Sequence, residues 1–153
     1  MKLLFTVEVT VDKPVVVGQD NINGRRQIIP ITGGIVYGND IYGNEMKGTV
    51  LPGGVDSQVI RPNGRCDLSA RYAVKLESGA SFYIQNDGMR TVPREYVENV
   101  LRGEFIDPSL YYFATTPKFE AYDDSTRWLE NYILVCKAVR TPDSVKINYY
   151  VVE

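Results

Sequence analysis

Short runs of alternating apolar and polar residues, separated by turn residues, fill most of this chain and restrict what it can fold into. Residues 4–11 and 66–76 alternate in this way over their whole length. Because successive side chains of a strand point to opposite faces of its sheet, such runs are typical of strands with one buried face. The turn sequences at 62–64 (Pro-Asn-Gly) and 78–79 (Ser-Gly) join neighbouring runs. The pattern predicts antiparallel strands connected as hairpins.

Roughly nine or ten strands of this kind are expected, with one short helix. The helix is expected near 93–102, where Pro93 suits a first turn and Gly103 an end. The strand from Gln27 to Tyr37 is expected to bulge at Gly33-Gly34. The strand that starts at Ser81 is expected to end before the Asn86-Asp87-Gly88 turn. Later strands are expected over 110–120, 128–140 and 145–152.

This set of elements predicts an all-β, mainly antiparallel barrel that forms a single domain over residues 1–153. A closely related sandwich is the alternative, and the barrel is favoured because closure removes exposed strand edges. The chain contains no repeat, low-complexity tract or linker that would divide it. Its length is sufficient for a sizeable hydrophobic core.

Composition excludes several classes of function. The 19 acidic and 17 basic residues give a net charge of −2, and no basic run is longer than Arg25-Arg26, which argues against nucleic acid as a partner. The chain has no histidine, so Ser-His-Asp and Cys-His catalysis and imidazole metal sites are excluded. We expect no metal and no cofactor. Acid–base chemistry would fall to Asp, Glu, Lys, Tyr or a water assisted by Arg.

The predicted location is the cytoplasm, with no membrane contact. Met1–Phe5 resembles the start of a signal peptide, but Glu8 and Asp12 interrupt it before a long apolar region forms. Cys66 and Cys136 are far apart in sequence, and we interpret them as two reduced thiols that act as small buried hydrophobes. The expected partners are a small organic molecule, anionic or aromatic, and further copies of the same chain.

Asp56, Gln58 and Arg71 form the first candidate site. They fall on neighbouring predicted strands joined by the turn at 62–64, so a carboxylate, an amide and a guanidinium can converge inside a barrel. Arg71 would grip a carboxylate, phenolate or enolate oxygen with two hydrogen bonds, and Asp56 would act as the base. The alternative places Arg71 outside, paired with Asp67 or a glutamate, because alternation defines two faces without showing which is inside.

Arg25 and Arg26, which follow a polar loop containing Gly24, are the second candidate. One interpretation is an anion clamp at the barrel mouth, with Arg25 binding the ligand. The other is a pair of edge charges that discourage aggregation. Gly33-Gly34 and Gly53-Gly54 are not phosphate loops, since the Gly-Lys-Ser/Thr ending and the following helix are missing.

Aromatic residues are the third group of candidates, since the chain has 11 Tyr, 5 Phe and 1 Trp. Tyr83 or Tyr112 would donate a hydrogen bond to a developing enolate. Phe113 and Trp128, with Tyr112, would line a pocket for an apolar or aromatic ligand. The alternative for each is ordinary core packing.

The sequence resembles the uncharacterised protein family 0311, small bacterial and fungal β-barrel proteins of unknown function. The similarity covers nearly the whole chain, and the combination of motifs is more specific than any one of them. The segments that carry it are 24–34 (Gly-Arg-Arg to Gly-Gly), 50–56 (Val-Leu-Pro-Gly-Gly-Val-Asp), 61–64 (Arg-Pro-Asn-Gly), 70–72 (Ala-Arg-Tyr), 107–120 (Asp-Pro-Ser to Phe-Glu) and 128–129 (Trp-Leu).

This resemblance implies a barrel of the calycin or allene-oxide-cyclase-like kind and no established activity. It favours a site for Asp56 and Arg71. The chain departs from the family pattern at Ser57, where a large aromatic residue is expected, and at Glu130, where Asn is expected after Trp-Leu. If these positions line the cavity, with Glu130 contacting the ligand, this member takes a different ligand.

Three functions remain open from the sequence. The first is a cofactor-free enzyme that transfers a proton beside a carbonyl, as an isomerase, cyclase, dehydratase or hydrolase. The second is a lipocalin-like carrier of an apolar or aromatic molecule. The third is a structural or interaction protein with a filled barrel. The enzyme requires an acidic residue with a perturbed pKa in a cavity, whereas the carrier requires an apolar cavity.

Overall fold

The alternating runs form ten strands in the computed structural model, which describes residues 1–153. The strands are β1 (Lys2–Val11), β2 (Val15–Gly18), β3 (Arg25–Asn39), β4 (Glu45–Val50), β5 (Gly54–Ile60), β6 (Cys66–Leu76), β7 (Ser81–Thr91), β8 (Tyr112–Ala121), β9 (Leu134–Arg140) and β10 (Ser144–Val151).

Helical structure is sparse. The α-helix α1 spans Val97–Leu101, directly after a 3₁₀ turn at Arg94–Tyr96. Together they occupy the predicted helical segment, and Gly103 follows with a positive φ of 73°. Further 3₁₀ segments lie at Pro108–Leu110 and Asp124–Glu130. No helix has the length and apolar character needed to cross a membrane.

Antiparallel pairing closes the sheet into a barrel. The neighbours run in the order β1, β10, β9, β8, β7, β6, after which β4 and β5 share the next position, and β3 pairs back with β1. The barrel therefore has eight strand positions, and β2 pairs only with β3. The predicted antiparallel barrel is confirmed.

Strand β3 pairs with four strands, two along each edge, because it bends at the predicted glycine pair. Its first half pairs with β5 and β2, and its second half pairs with β4 and β1. The register with β1 shifts between Thr10 and Val11. Gly34 has φ 149°, and a Cβ there would overlap the carbonyl oxygen of Glu8. Glycine at this position lets β1 approach β3 closely enough to close the barrel.

The core fills one end of the barrel. Phe5, Phe82 and Tyr149 pack there with Trp128 and Leu129, which the 3₁₀ segment 124–130 inserts between β8 and β9. Phe5 and Tyr149 stack with centroids 4.5 Å apart, and Phe5 meets Trp128 edge-on at 6.4 Å. The prediction that a strand begins at residue 128 is wrong, because β8 and β9 separate here and the helical segment plugs the gap.

The opposite end, which we call the mouth, is formed by the start of β3 and the ends of β5, β7 and β9. A second small cluster of Ile60, Cys66 and Val100 seats α1 beside it. The mouth is therefore the end of the barrel that the main core leaves open.

Cys66 and Cys136 are both free and buried.

Candidate active site at the mouth of the barrel

Strand alternation turns Asp56 and Gln58 into the barrel. Asp56 lies opposite Ile29 of β3 and Ala70 of β6, both of which are buried. Gln58 Nε2 donates a 2.8 Å hydrogen bond to Asp56 Oδ2, and Gln27 Nε2 donates one of the same length to Gln58 Oε1. The Asp56 Oδ1 atom is buried and has no hydrogen-bond partner in the protein. One carboxyl oxygen is thus held by Gln58, which Gln27 holds in turn, while the other remains available.

Three arginines surround the mouth above this carboxyl group. Arg25 begins β3, whereas Arg90 and Arg140 lie at the ends of β7 and β9. Arg25 Nη1 donates to the carbonyl of Leu101 at 3.0 Å, and Arg90 lies 5.8 Å from the ring centroid of Tyr111. None of the three forms an ion pair with an acidic side chain. Their charges are therefore free to bind an anion.

The arginines line a cleft of about 530 Å³, within the range of small-molecule sites. Asp12, Glu104 and Asp143 also line it, and Glu104 pairs with Arg102, which does not line the cleft. Two small voids of about 20 and 30 Å³ continue inward. Arg90 and Arg140 line both the cleft and the first void, while Asp56 and Phe113 line both voids. Asp56 thus lies directly below the cationic mouth.

Burial and the neighbouring positive charges have opposite effects on the pKa of Asp56. Burial raises the pKa of its carboxyl group above 3.8, whereas the Gln58 hydrogen bond and the charges of Arg140 and Arg90 lower it in part. Burial also lowers the pKa of Arg140, and the nearby positive charge of Arg90 acts in the same direction. A carboxyl group with a raised pKa beside cations is suited to accept and return a proton.

The structure separates Arg71 from Asp56. Arg71 lies opposite Val55 and Gln85 on the outer face of the barrel, where it is exposed. Its inward neighbours Ala70 and Tyr72 are buried. The prediction that Arg71 faces Asp56 is wrong. Asp56 lies opposite Ala70, so the next residue of β6, Arg71, points to the other face of the sheet.

Two of the aromatic candidates also lie outside. Tyr83 is opposite Ala73 and Glu120 on the outer face, and Tyr112 is 58% exposed. Phe113, by contrast, points inward and lines both voids. The outward orientation of Tyr83 and Tyr112 excludes a hydrogen bond from either to a ligand at the mouth. Phe113 lies directly below the cleft, where it could contact a ligand as predicted.

Trp128 and Glu130 lie at the closed end, away from the mouth. Trp128 is part of the core, and the exposed Glu130 accepts a 2.9 Å hydrogen bond from the backbone N–H of Ala121. Ser57 faces outward and accepts a 3.0 Å hydrogen bond from Arg26. Neither departure from the family pattern lines the cleft, so the condition on which Ser57 and Glu130 would indicate a different ligand is not met.

The sequence analysis missed Arg90 and Arg140. The Asn86-Asp87-Gly88 segment resembles a turn, yet β7 continues through it to Thr91 and pairs with β8 throughout. Asn86 is buried inside the barrel, and Gly88 lets β8 approach where a Cβ would overlap the carbonyl oxygen of Ala114. The sequence did contain a signal for Arg90. It follows the inward-facing Phe82, Ile84 and Asn86 at steps of two residues, so in a continuous strand its side chain also faces inward.

The mouth offers chemistry that needs no metal. No group of three or more Cys, Asp or Glu residues is placed to hold a metal ion. The cleft instead presents three guanidinium groups, and one buried carboxyl group lines the voids below it. This arrangement defines an antiparallel barrel with a pocket lined by three arginines above a buried carboxyl group.

Comparison with known proteins shows the family. The family described as "Protein of unknown function (DUF3237)" matches residues 1–152. A UPF0311 protein of Clostridium acetobutylicum is 52% identical over 147 residues, covering 96% of this chain and 90% of the relative. A UPF0311 protein of Bradyrhizobium diazoefficiens is 42% identical over 149 residues, covering 97% and 93%. The chain belongs to this uncharacterised family, as the resemblance predicted.

Solved structures share the fold. A protein of unknown function from Clostridium acetobutylicum superposes with a TM-score of 0.92 at 50% identity, covering 99% of this chain and 95% of the other. A beta-barrel like protein from Acinetobacter baumannii gives 0.84 at 29%, covering 99% and 94%. An enzyme from Penicillium herquei gives 0.66 at 16%, covering 97% and 92%, which shows a common fold alone.

Proposed function

We propose that this protein is a cofactor-free enzyme that binds a small organic anion at the mouth and transfers a proton beside a carbonyl group. The observation that carries the proposal is the convergence of Arg25, Arg90 and Arg140, all without acidic partners, on a cleft directly above Asp56. Isomerisation, cyclisation and dehydration beside a carbonyl can all begin with removal of the same C–H proton, whereas in hydrolysis Asp56 would take the proton from an attacking water.

The arginines would hold the ligand and stabilise the charge that develops. In the proposed step the C–H bond next to a carbonyl breaks, its electron pair moves to the carbonyl oxygen, and the proton goes to Asp56. The resulting enolate is stabilised by Arg90 and Arg140, which supply forked charge-assisted hydrogen bonds. Asp56 then returns the proton to the same or another atom of the ligand.

The carrier alternative finds less support. Inside the barrel the voids measure only about 20 and 30 Å³, too small for an apolar or aromatic molecule. The filled closed end is compatible with an interaction protein, but unpaired arginines above a buried carboxyl group would then have no use. The predicted homo-oligomer and cytoplasmic location remain predictions.

Deuterium exchange tests the proposal directly. The probes are 2-oxobutyrate and phenylpyruvate, two keto acids that combine an anion with exchangeable protons beside a carbonyl. We expect the protein to accelerate exchange of their C3 protons in D₂O, followed by NMR, and Asp56→Asn to abolish the acceleration. Arg140→Gln should raise the KM at least about tenfold through the lost charge-assisted hydrogen bonds.

A matched control is available at the other end of the barrel. Arg127 is an exposed arginine that pairs with Asp124 at 3.1 Å on the closed end, so Arg127→Gln should leave exchange unchanged. Exchange that is equally fast with Asp56→Asn would rule out Asp56 as the base. A KM that is unaltered by Arg140→Gln would rule out the anion site.

A further inference from the structure

A void of about 30 Å³ lies inside the barrel next to Asp56. Its walls are mostly apolar, but Asp56, Asn86 and Thr115 contribute polar groups. Three oxygen atoms on these side chains, Asp56 Oδ1, Asn86 Oδ1 and Thr115 Oγ1, are buried and have no hydrogen-bond partner in the protein. Buried oxygens without partners are costly, and three around one small space indicate a common partner.

The orientation of Asn86 is fixed from its other end. Its Nδ2 donates toward Tyr149 Oη at 3.5 Å and toward Cys136 Sγ at 3.9 Å. The side chain is 1% exposed, so its carbonyl oxygen has no access to bulk water. The Asn86 oxygen is therefore an acceptor whose partner must be inside the barrel.

The size and the chemistry of the void both match one water molecule. A polar cavity needs only about 10–15 Å³ of accessible volume to hold a water, which typically makes about three hydrogen bonds. With Asp56 ionised, the water donates one hydrogen to Asp56 Oδ1 and the other to Asn86 Oδ1, and it accepts from the Thr115 hydroxyl. All three oxygens then have a partner.

We propose that one buried water, held by Asn86 and Thr115, is the hydrogen-bond partner of Asp56 in both of its protonation states. The proposal rests on the proposed function, in which Asp56 gains and loses a proton. When an O–H bond forms at Oδ1, Asp56 donates to the water, which turns to donate to Asn86 and Thr115. The proton stays on Asp56, and no buried oxygen loses its partner in either state. Asn86 and Thr115 are thus positioning residues.

Several charged or titratable groups face Asp56 and act on the same equilibrium. Arg90 on β7 and Arg140 on β9 favour its carboxylate. Cys66 and Tyr72 on β6 lie nearby, and both stay neutral at pH 7 because burial raises the pKa of Cys66 to about 12 and that of Tyr72 above its usual 10.0. The water acts beside these groups, and its contribution is isolated by changing Asn86 and Thr115 while all four remain.

The first test is a high-resolution crystal structure of the wild-type protein without ligand. We expect one ordered water within hydrogen-bond distance of Asp56 Oδ1, Asn86 Oδ1 and Thr115 Oγ1. A dry void, or a direct hydrogen bond between Asp56 and Asn86, would overturn the proposal. This measurement needs no variant, so it does not depend on whether a substituted barrel folds.

The second test measures the pKa of Asp56 by ¹³C NMR titration of its carboxyl carbon. The double variant Asn86→Leu, Thr115→Val removes the polar walls and expels the water. A hydrogen bond stabilises the carboxylate more than the neutral acid, so its loss should raise the pKa by about one unit or more. Thr6→Val is the control, because Thr6 is a buried threonine bonded to Asn148 away from the void.

The outcomes separate this proposal from the proposed function. An unchanged pKa of Asp56 in the double variant contradicts the water site even if the keto-acid probes still exchange. An ordered water with the expected pKa shift supports the site even if exchange is never accelerated, in which case only the enzyme proposal fails.

Discussion

Gln58 donates its side-chain hydrogen bond to Asp56, two residues away on the same strand, at 2.8 Å. The two side chains share the inner face of the barrel, and Gln27 on the neighbouring strand donates to Gln58 in turn. This relay of amides holds one carboxyl oxygen without supplying a positive charge. Asp56 is therefore fixed in position while burial still raises its pKa.

The stability of the protein should depend on pH through Asp56. Because the folded pKa of Asp56 is raised, the folded state binds its proton more tightly than the unfolded state, and stability falls as pH rises from the unfolded pKa through the folded one. Asp56→Asn removes this loss. We expect the free energy of unfolding of the variant, minus that of the wild type, to grow across that window and then to stay constant. The total growth should be about 1.4 kcal/mol for each unit by which the folded pKa exceeds the unfolded one.

Urea denaturation of both proteins at a series of pH values measures this difference. Subtracting the two curves cancels the contributions of the other titrating groups. A difference that is independent of pH, or that shrinks as pH rises, would contradict a raised pKa for Asp56.

The buried pair of Tyr72 and Tyr149 should show unequal sensitivity to loss of a hydroxyl group. Their phenolic oxygens are 2.6 Å apart, and Asn86 also donates toward Tyr149 at 3.5 Å. Tyr149→Phe leaves the Tyr72 hydroxyl with no partner, whereas Tyr72→Phe leaves the Tyr149 hydroxyl with Asn86. We expect Tyr149→Phe to cost about 1–3 kcal/mol and Tyr72→Phe less.

A double-mutant cycle by urea unfolding measures this pair. Removing both hydroxyls leaves no buried phenol unpaired, so the double variant should be more stable than the sum of the single effects predicts. Strictly additive effects would show that the two hydroxyls do not interact.

Closure of the barrel should depend on Gly34 and not on its neighbour Gly33. An alanine at Gly34 would be strained at φ 149°, and its Cβ would overlap the Glu8 carbonyl oxygen on β1. We expect Gly34→Ala to lower the unfolding free energy by more than about 3 kcal/mol, since clash adds to backbone strain. At Gly33 the nearest atom to a Cβ is 3.6 Å away, so Gly33→Ala should change stability by less than about 1 kcal/mol.

Thermal melting of the two alanine variants compares them under one condition. Equal melting temperatures would show that β1 and β3 do not need the close approach at Gly34.

Neither thiol should react in the folded protein. Burial raises the pKa of Cys66 and of Cys136 to about 12, and both are 1% exposed. Because the thiolate is the nucleophile, iodoacetamide at pH 8 should leave both unlabelled by mass spectrometry until urea unfolds the chain. Labelling of either thiol at the rate of the unfolded protein would contradict this assignment.

Local pattern was sufficient for the hairpin of β5 and β6 and for the two faces of β6. The turn at 62–64 does join β5 to β6, and alternation in 66–76 does separate a buried face from an outer one. Both features depend only on neighbours along the chain, and a single sequence contains that information. Where local signals conflicted, as at Asn86-Asp87-Gly88, pairing with β8 outweighed the preference for a turn.

The sequence by itself determined antiparallel strands joined as hairpins, with a barrel favoured over a sandwich, a chain without histidine chemistry, and the two alternating faces of each strand. Only the tertiary structure decided which face is inside. That choice places Arg71 on the outer face and Asp56 inside the barrel, and it brings Arg25, Arg90 and Arg140 from three distant strands to one mouth. The physical reason is that alternation has two equivalent phases, and closure of the whole sheet around its largest apolar side chains selects between them.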